Sequence, residues 1–186
     1  MPLQLTFSIR DLSMPSYVTK PQFDAAARHD PYYHASRWDY YSAAVATLRG
    51  LDFGSSLELG PHRLPLVSGG DTMDLNAGIG PTVQHDATTT PWPIEDSSYD
   101  LFIALQVWEH LEGRQTEAFA EVMRITRRFA LLSFPLMWNS PDNPSHHGIT
   151  RNRIRDWTLG FKPVSTEVIG AKRARIIYLF NMSDTG

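Results

Sequence analysis

Between Ser55 and Leu111 four short blocks follow one another: SSLELG, GDTMDL, the stretch VQHDATTTPWPIED, and SSYDLFIALQVWEHL. Each carries an aliphatic or β-branched run that ends on a polar residue. An open parallel sheet reads this way, because its strands are buried on both faces and its ligands sit outside the carboxyl ends of the strands. The blocks predict a first strand over 55–60, a second ending within 71–75, a third over 82–85 and a fourth over 99–105. Their polar ends suit a nucleotide-like cofactor.

The rest of the chain supplies the layers such a sheet needs. Residues 1–20 read as an extended arm or edge strand broken by Pro2 and Pro15. From Asp30 the text becomes helical, with Trp38, Tyr41, Val45 and Leu48 spaced three and four apart on one face. A second amphipathic helix is expected over 112–126, carrying Phe119, Val122, Met123 and Thr126 on one side. A fifth buried strand over 129–134 is stopped by Pro135, and the polar loop MWNSPDNPSHHGI follows it. A short helix over 154–159 and two strands over 164–169 and 175–180 close the chain. The short GAKRA connection makes those last two strands antiparallel neighbours. The expected fold is α/β: a doubly wound, mostly parallel, Rossmann-like sheet with a reversed C-terminal edge strand.

Composition narrows the functional classes. The 186 residues, 42% of them hydrophobic, suit one domain with one core and leave little room for a separate substrate domain. That domain spans 1–186, with an N-terminal arm over 1–29 and a core over 30–180. The formal net charge is -3, and the basic residues are scattered apart from Arg124, Arg127, Arg128 and the run Lys172, Arg173, Arg175. No basic footprint of a nucleic-acid binder is present, so no nucleic-acid partner is expected. Cysteine is absent, which excludes disulfides, thiolate metal sites and a cysteine nucleophile. Neither a secretory signal nor a membrane span is legible, so the expectation is a cytoplasmic chain with no membrane partner. Nothing in the sequence sets the oligomeric state.

The wording of the blocks resembles the class I S-adenosylmethionine-dependent methyltransferases. The closest likeness is to the small type that pairs an early E-x-G with a PW(P)-x-(E/D)D-x-S-(Y/F)D segment and an EHL. Here these are Glu58-Leu59-Gly60, the run from Pro91 to Asp100, and Glu109-His110-Leu111. The likeness covers roughly residues 30–180 and rests on the order of the blocks. It implies S-adenosylmethionine as cofactor, with Glu58 and Gly60 near its methionine part. It places Asp74, with Asp71 as competitor, on the ribose hydroxyls. Asp86 then meets the adenine amine, and Ala87 offers a backbone amide to a ring nitrogen. Gln106 and Val107 line the cleft past the fourth strand, and Arg37 is a candidate for the methionine carboxylate by a two-pronged contact.

One departure from the pattern is plain. Where the family shows E-x-G-x-G-x-G, this chain has Gly60 followed by His62 and Leu64. The same departure weighs against a nicotinamide or flavin domain, whose glycine turn holds a pyrophosphate. Blander readings stand beside the functional ones: Asp71 and Asp74 as turn residues, Asp100 as a turn-orienting group, the aromatic cluster around Arg37 as core, and Glu109 as a helix first-turn acid.

The function implied is transfer of a methyl group to an oxygen or nitrogen of a small-molecule acceptor. His147 and His146, in the loop after the fifth strand, are candidate general bases, with His147 preferred because Gly148 leaves room beside it. No metal is expected, since no histidine or carboxylate stands at a ligand spacing. The alternatives are a non-catalytic domain of the same fold that binds a cofactor or a partner, and a nicotinamide-dependent oxidoreductase.

Overall fold

Strands and helices alternate in the computed structural model, which describes residues 15–184. The order is β1 (Ser16–Tyr17), α1 (Lys20–Ala27), α2 (Ala35–Leu48), β2 (Ser56–Leu59), β3 (Val67–Ser68), β4 (Asp71–Asp74) and β5 (Val83–Gln84). Then come β6 (Tyr99–Leu105), α3 (Gln115–Ile125), β7 (Thr126–Pro135), α4 (Arg151–Trp157), β8 (Ser165–Ile169) and β9 (Arg175–Asn181). Seven strands form one sheet in the order β5-β4-β2-β6-β7-β9-β8, and β1 pairs with β3 apart from it. The pairings of β5, β4, β2, β6 and β7 are parallel, while β9 runs antiparallel to both β7 and β8. The reversed strand therefore sits one place in from the edge, and β8 forms the edge itself.

Alternation along the central strands explains the three layers. Phe102 and Ala104 of β6 join Leu57 and Leu59 of β2 in a core with Phe119, Val122 and Ile125 of α3 and Ile154 and Trp157 of α4. Leu101, Ile103 and Leu105 face the other way, onto Tyr41, Val45 and Leu48 of α2 and Phe23 of α1. Period-two side chains on β6 thus feed both layers, which is why its sequence is apolar throughout. Three of the residues expected on one face of α2 (Tyr41, Val45 and Leu48) are buried there, and Trp38 packs against the same core.

The described part of the expected arm, 15–29, departs from an extended reading. Lys20–Ala27 is a helix held by a capping box, with Thr19 accepting from the Gln22 backbone and the Gln22 side chain returning to Thr19 N–H. Its eight residues bury only Phe23, too little to show a helical period in the sequence. Residues 1–14 of the expected arm lie outside the described residues. Among the described residues, no helix is long and apolar enough to cross a membrane.

Candidate active site

The carboxyl ends of β2 and β6 open onto a cavity of about 710 Å³, within the range of small-molecule sites. Gly60, Gln106 and Val107 form its floor. Tyr32, His34 and Arg37 close one side from the entry to α2. The loop after β7 closes the other, with Trp138 and His146, and Arg173 and Arg175 stand at the start of β9.

Gly60 and Val107 meet on the floor. Gly60 has φ +65°, and a Cβ there would lie 2.7 Å from Val107 Cγ2, so only glycine lets the two strand ends approach. His62 replaces the next glycine of the family pattern yet keeps a left-handed φ of 57°. Its Nε2 shares a 2.7 Å hydrogen bond with Asp30, and its ring packs 4.4 Å from that of Tyr32. These contacts offset the strain of a side chain in the left-handed region, so the turn survives the loss of glycine.

The expected cofactor carboxylates divide into three groups. Glu58 does not line the cavity: it points from β2 into the α2 layer, where its carboxylate accepts from Leu66 N–H at 2.6 Å. Burial pushes this carboxyl up to about 8. Asp74 ends β4 and Asp86 follows β5 by two residues, and neither lines the cavity. Asp74 accepts from Asn76 N–H at 2.8 Å, and Asp86 from Thr88 N–H and hydroxyl, which hold its carboxyl below the usual range. Each is thus a turn residue two positions upstream of its donor, as well as a strand-end acceptor. Asp71 opens β4 at the opposite end from Asp74 and accepts from Tyr99 O–H at 2.9 Å. Ala87 is buried, with its carbonyl accepting from Trp92 Nε1.

Arg37 lines the cavity, and its guanidinium lies 3.6 Å from the Tyr32 ring centroid. Nε donates to the Tyr32 carbonyl and Nη1 to the Tyr40 hydroxyl. A two-pronged grip through Nε is closed, leaving only the Nη1/Nη2 edge for a ligand carboxylate. Gln106 has φ 58° and is fixed between Ser133, which its amide groups contact at 3.0 and 3.1 Å, and Arg175 Nε at 3.2 Å.

The loop after β7 separates the two candidate bases. His147 is exposed, does not line the cavity, and its Nδ1 accepts from Ser140 N–H at 3.1 Å. Its Nδ1 is thus engaged and its ring is set outward. His146 lines the cavity instead, stacked on Trp138 with ring centroids 5.3 Å apart. Trp138 is itself pinned by Nε1 donating to the Ala174 carbonyl at 2.6 Å.

Sequence reasoning missed what surrounds His146. His110 lies edge-on at 4.9 Å, and Glu109 sits beneath, its Oε1 3.7 Å from His146 Nε2. Donor atoms of Glu109, His110 and His146 all lie within 4.8 Å of one another, although the residues come from separate stretches of sequence. The Glu109 side chain is fully buried, and neither oxygen has a hydrogen-bond partner from another residue. Burial pushes its carboxyl up to about 8 and pulls both imidazoles below their ordinary value. The EHL motif was the available signal, but it gave no hint of its partner in the loop.

This architecture is shared with solved methyltransferases, and the fold is that of the class I S-adenosylmethionine-dependent methyltransferases. The N-methyltransferase NodS from Bradyrhizobium japonicum WM9, solved with S-adenosyl-L-homocysteine, superposes with a TM-score of 0.63 at 12% identity, over 86% of this chain and 97% of that one. A methyltransferase from Thermotoga maritima gives a TM-score of 0.56 at 11% identity, over 86% and 98%. Another from Methanosarcina mazei gives 0.52 at 12%, over 70% and 92%. No family model matches the chain. No curated protein matches it either.

Proposed function

We propose that the chain binds S-adenosylmethionine at the carboxyl ends of β2, β4 and β5 and transfers its methyl group to an oxygen or nitrogen of a small molecule. The observation that carries this reading is the floor of the cavity. A left-handed glycine at the end of β2 lies directly against the residue after β6, at the place where the fold's topology leaves a crevice. The likeness to NodS with bound S-adenosyl-L-homocysteine supports the choice of cofactor.

In this reading Gly60 and Val107 receive the methionine part, Asp74 accepts from the ribose hydroxyls, and Asp86 and Ala87 meet the adenine. The Arg37 edge takes the methionine carboxylate. The acceptor's lone pair attacks the methyl carbon as the carbon–sulfur bond breaks, leaving neutral S-adenosylhomocysteine. Alignment within the cavity supplies much of the acceleration. His146, on the acceptor side, takes the proton that an oxygen or nitrogen acceptor must lose. Arg173 and Arg175 against one lining carboxylate, Asp142, favour an acceptor that carries negative charge.

Calorimetric titration with S-adenosylmethionine, S-adenosylhomocysteine and NAD tests the reading. The expected result is saturable binding of both sulfur cofactors and none of NAD. Absence of heat with either sulfur cofactor at millimolar concentration removes the proposal.

A further inference from the structure

We propose that Glu109, His110 and His146 form a binding site for a first-row divalent metal ion on the acceptor wall of the cavity. Two histidines and one carboxylate converge there with donor atoms within 4.8 Å of one another. Two bonds of about 2.1 Å at a tetrahedral angle place their donors about 3.4 Å apart. The 3.7 Å between His146 Nε2 and Glu109 Oε1 is already close to that spacing. The remaining donor separations, all within 4.8 Å, are the gap that binding has to close.

A second observation points to a ligand independently of the clustering. Glu109 is completely buried with both oxygens unpartnered by any other residue. Buried polar groups are hydrogen-bonded in the large majority of cases, so two orphaned carboxyl oxygens on one buried side chain mark a missing occupant. A hydrogen bond from His146 Nε2 would have satisfied Glu109 Oε1, yet their separation of 3.7 Å is too long for it.

The donor set decides the kind of ion. Magnesium and calcium take six or more oxygens, whereas mixed imidazole and carboxylate ligands suit zinc, cobalt, manganese or ferrous iron. Three protein ligands leave coordination positions open, and His110 and His146 both line the cavity, so those positions face it. Arg37 and Arg175 lie near enough to act on Glu109 electrostatically, and their charge opposes a cation. An ionised Glu109 and an anionic acceptor in the open positions offset that opposition. The inference deepens the methyltransferase reading: a metal there would hold the acceptor oxygen and lower its pKa, and the imidazoles would serve as ligands in place of a free base.

The test uses the full chain stripped with a chelator and then titrated with cobalt(II), zinc(II) and magnesium(II). Cobalt is followed by its visible absorption and the other ions by calorimetry. The expected result is one cobalt or zinc per chain, with visible bands of a nitrogen- and oxygen-ligated ion, and magnesium binding at least about ten-fold weaker. Glu109→Gln and His146→Ala, each checked for folding by its thermal transition without metal, should weaken cobalt binding by about 10-fold or more. His147→Ala should leave it unchanged.

No cobalt spectrum with the unaltered chain, or equal cobalt binding by folded Glu109→Gln, overturns the proposal. A parallel titration with S-adenosylhomocysteine keeps the two readings apart. Metal binding without cofactor binding rejects the methyltransferase reading alone, and the converse rejects the metal site alone.

Discussion

Glu58 and Glu109 are both buried glutamates near the carboxyl ends of adjacent parallel strands, and burial pushes each carboxyl up to about 8. Their surroundings differ. Glu58 holds Leu66 N–H at 2.6 Å inside the α2 layer, tying the chain after β2 back onto the strand it has just left. Glu109 holds no other residue and lies beneath two imidazoles that line the cavity. A buried acid with its donor in place is structural, and one without is available to a ligand. Motif likeness nominated Glu58 as the cofactor residue, but the unused binding capacity belongs to Glu109.

The sharpest break between the two regions is expected in turnover. His146→Ala, on the Glu109 side, should lower the methyl-transfer rate by about 100-fold to 10,000-fold and leave cofactor affinity nearly unchanged. His147→Ala should stay within a few-fold of the unaltered chain. Rate and calorimetric measurements on the same preparations check this, and equal losses in both variants erase the distinction between the neighbours.

Next in size is cofactor affinity. Asp74→Ala should weaken S-adenosylhomocysteine binding roughly 10-fold to 100-fold, the loss of about 1.5 to 3 kcal/mol from a charge-assisted hydrogen bond. Asp71→Ala should weaken it little, because that residue sits at the far end of β4 and serves Tyr99. The reverse ranking, read by titration, would move the ribose site.

The smallest effect concerns stability. Glu58→Ala strands Leu66 N–H and should cost about 1 to 3 kcal/mol in denaturant unfolding. Glu109→Gln removes no hydrogen bond to another residue and should cost less in metal-free protein. Glu58 also carries a pH signature. Its folded carboxyl titrates near 8, whereas unfolded glutamate titrates near its ordinary 4.5, so the folded state holds the extra proton between those values. Stability from this group is complete below 4.5 and falls as pH rises towards 8. Glu58→Gln should flatten that fall, and an unchanged profile would show that Glu58 is ionised in the folded chain.

The parts of the fold that depend on local pattern were legible. The strand over 99–105 is apolar at every internal position after Asp100, and it appears with those bounds. Asp100, read as a turn-orienting group, accepts from Gly54 and Ser55 N–H and pairs with Arg127. Long-range relations were hidden. His62 looked like a lost glycine, but its contacts with Asp30 and Tyr32 come from a separate segment and preserve the turn. His146 is brought beside Glu109 and His110 by the pinning of Trp138 on Ala174. Neither arrangement leaves a spacing in the sequence, because each is set by packing between distant stretches.

The most direct test is a crystal structure of the chain with S-adenosylhomocysteine. The homocysteine part is expected against Gly60 and Val107, the ribose hydroxyls on Asp74, and the sulfur facing the wall of Glu109, His110 and His146. A ligand bound elsewhere, or with its sulfur turned away from that wall, would contradict that placement.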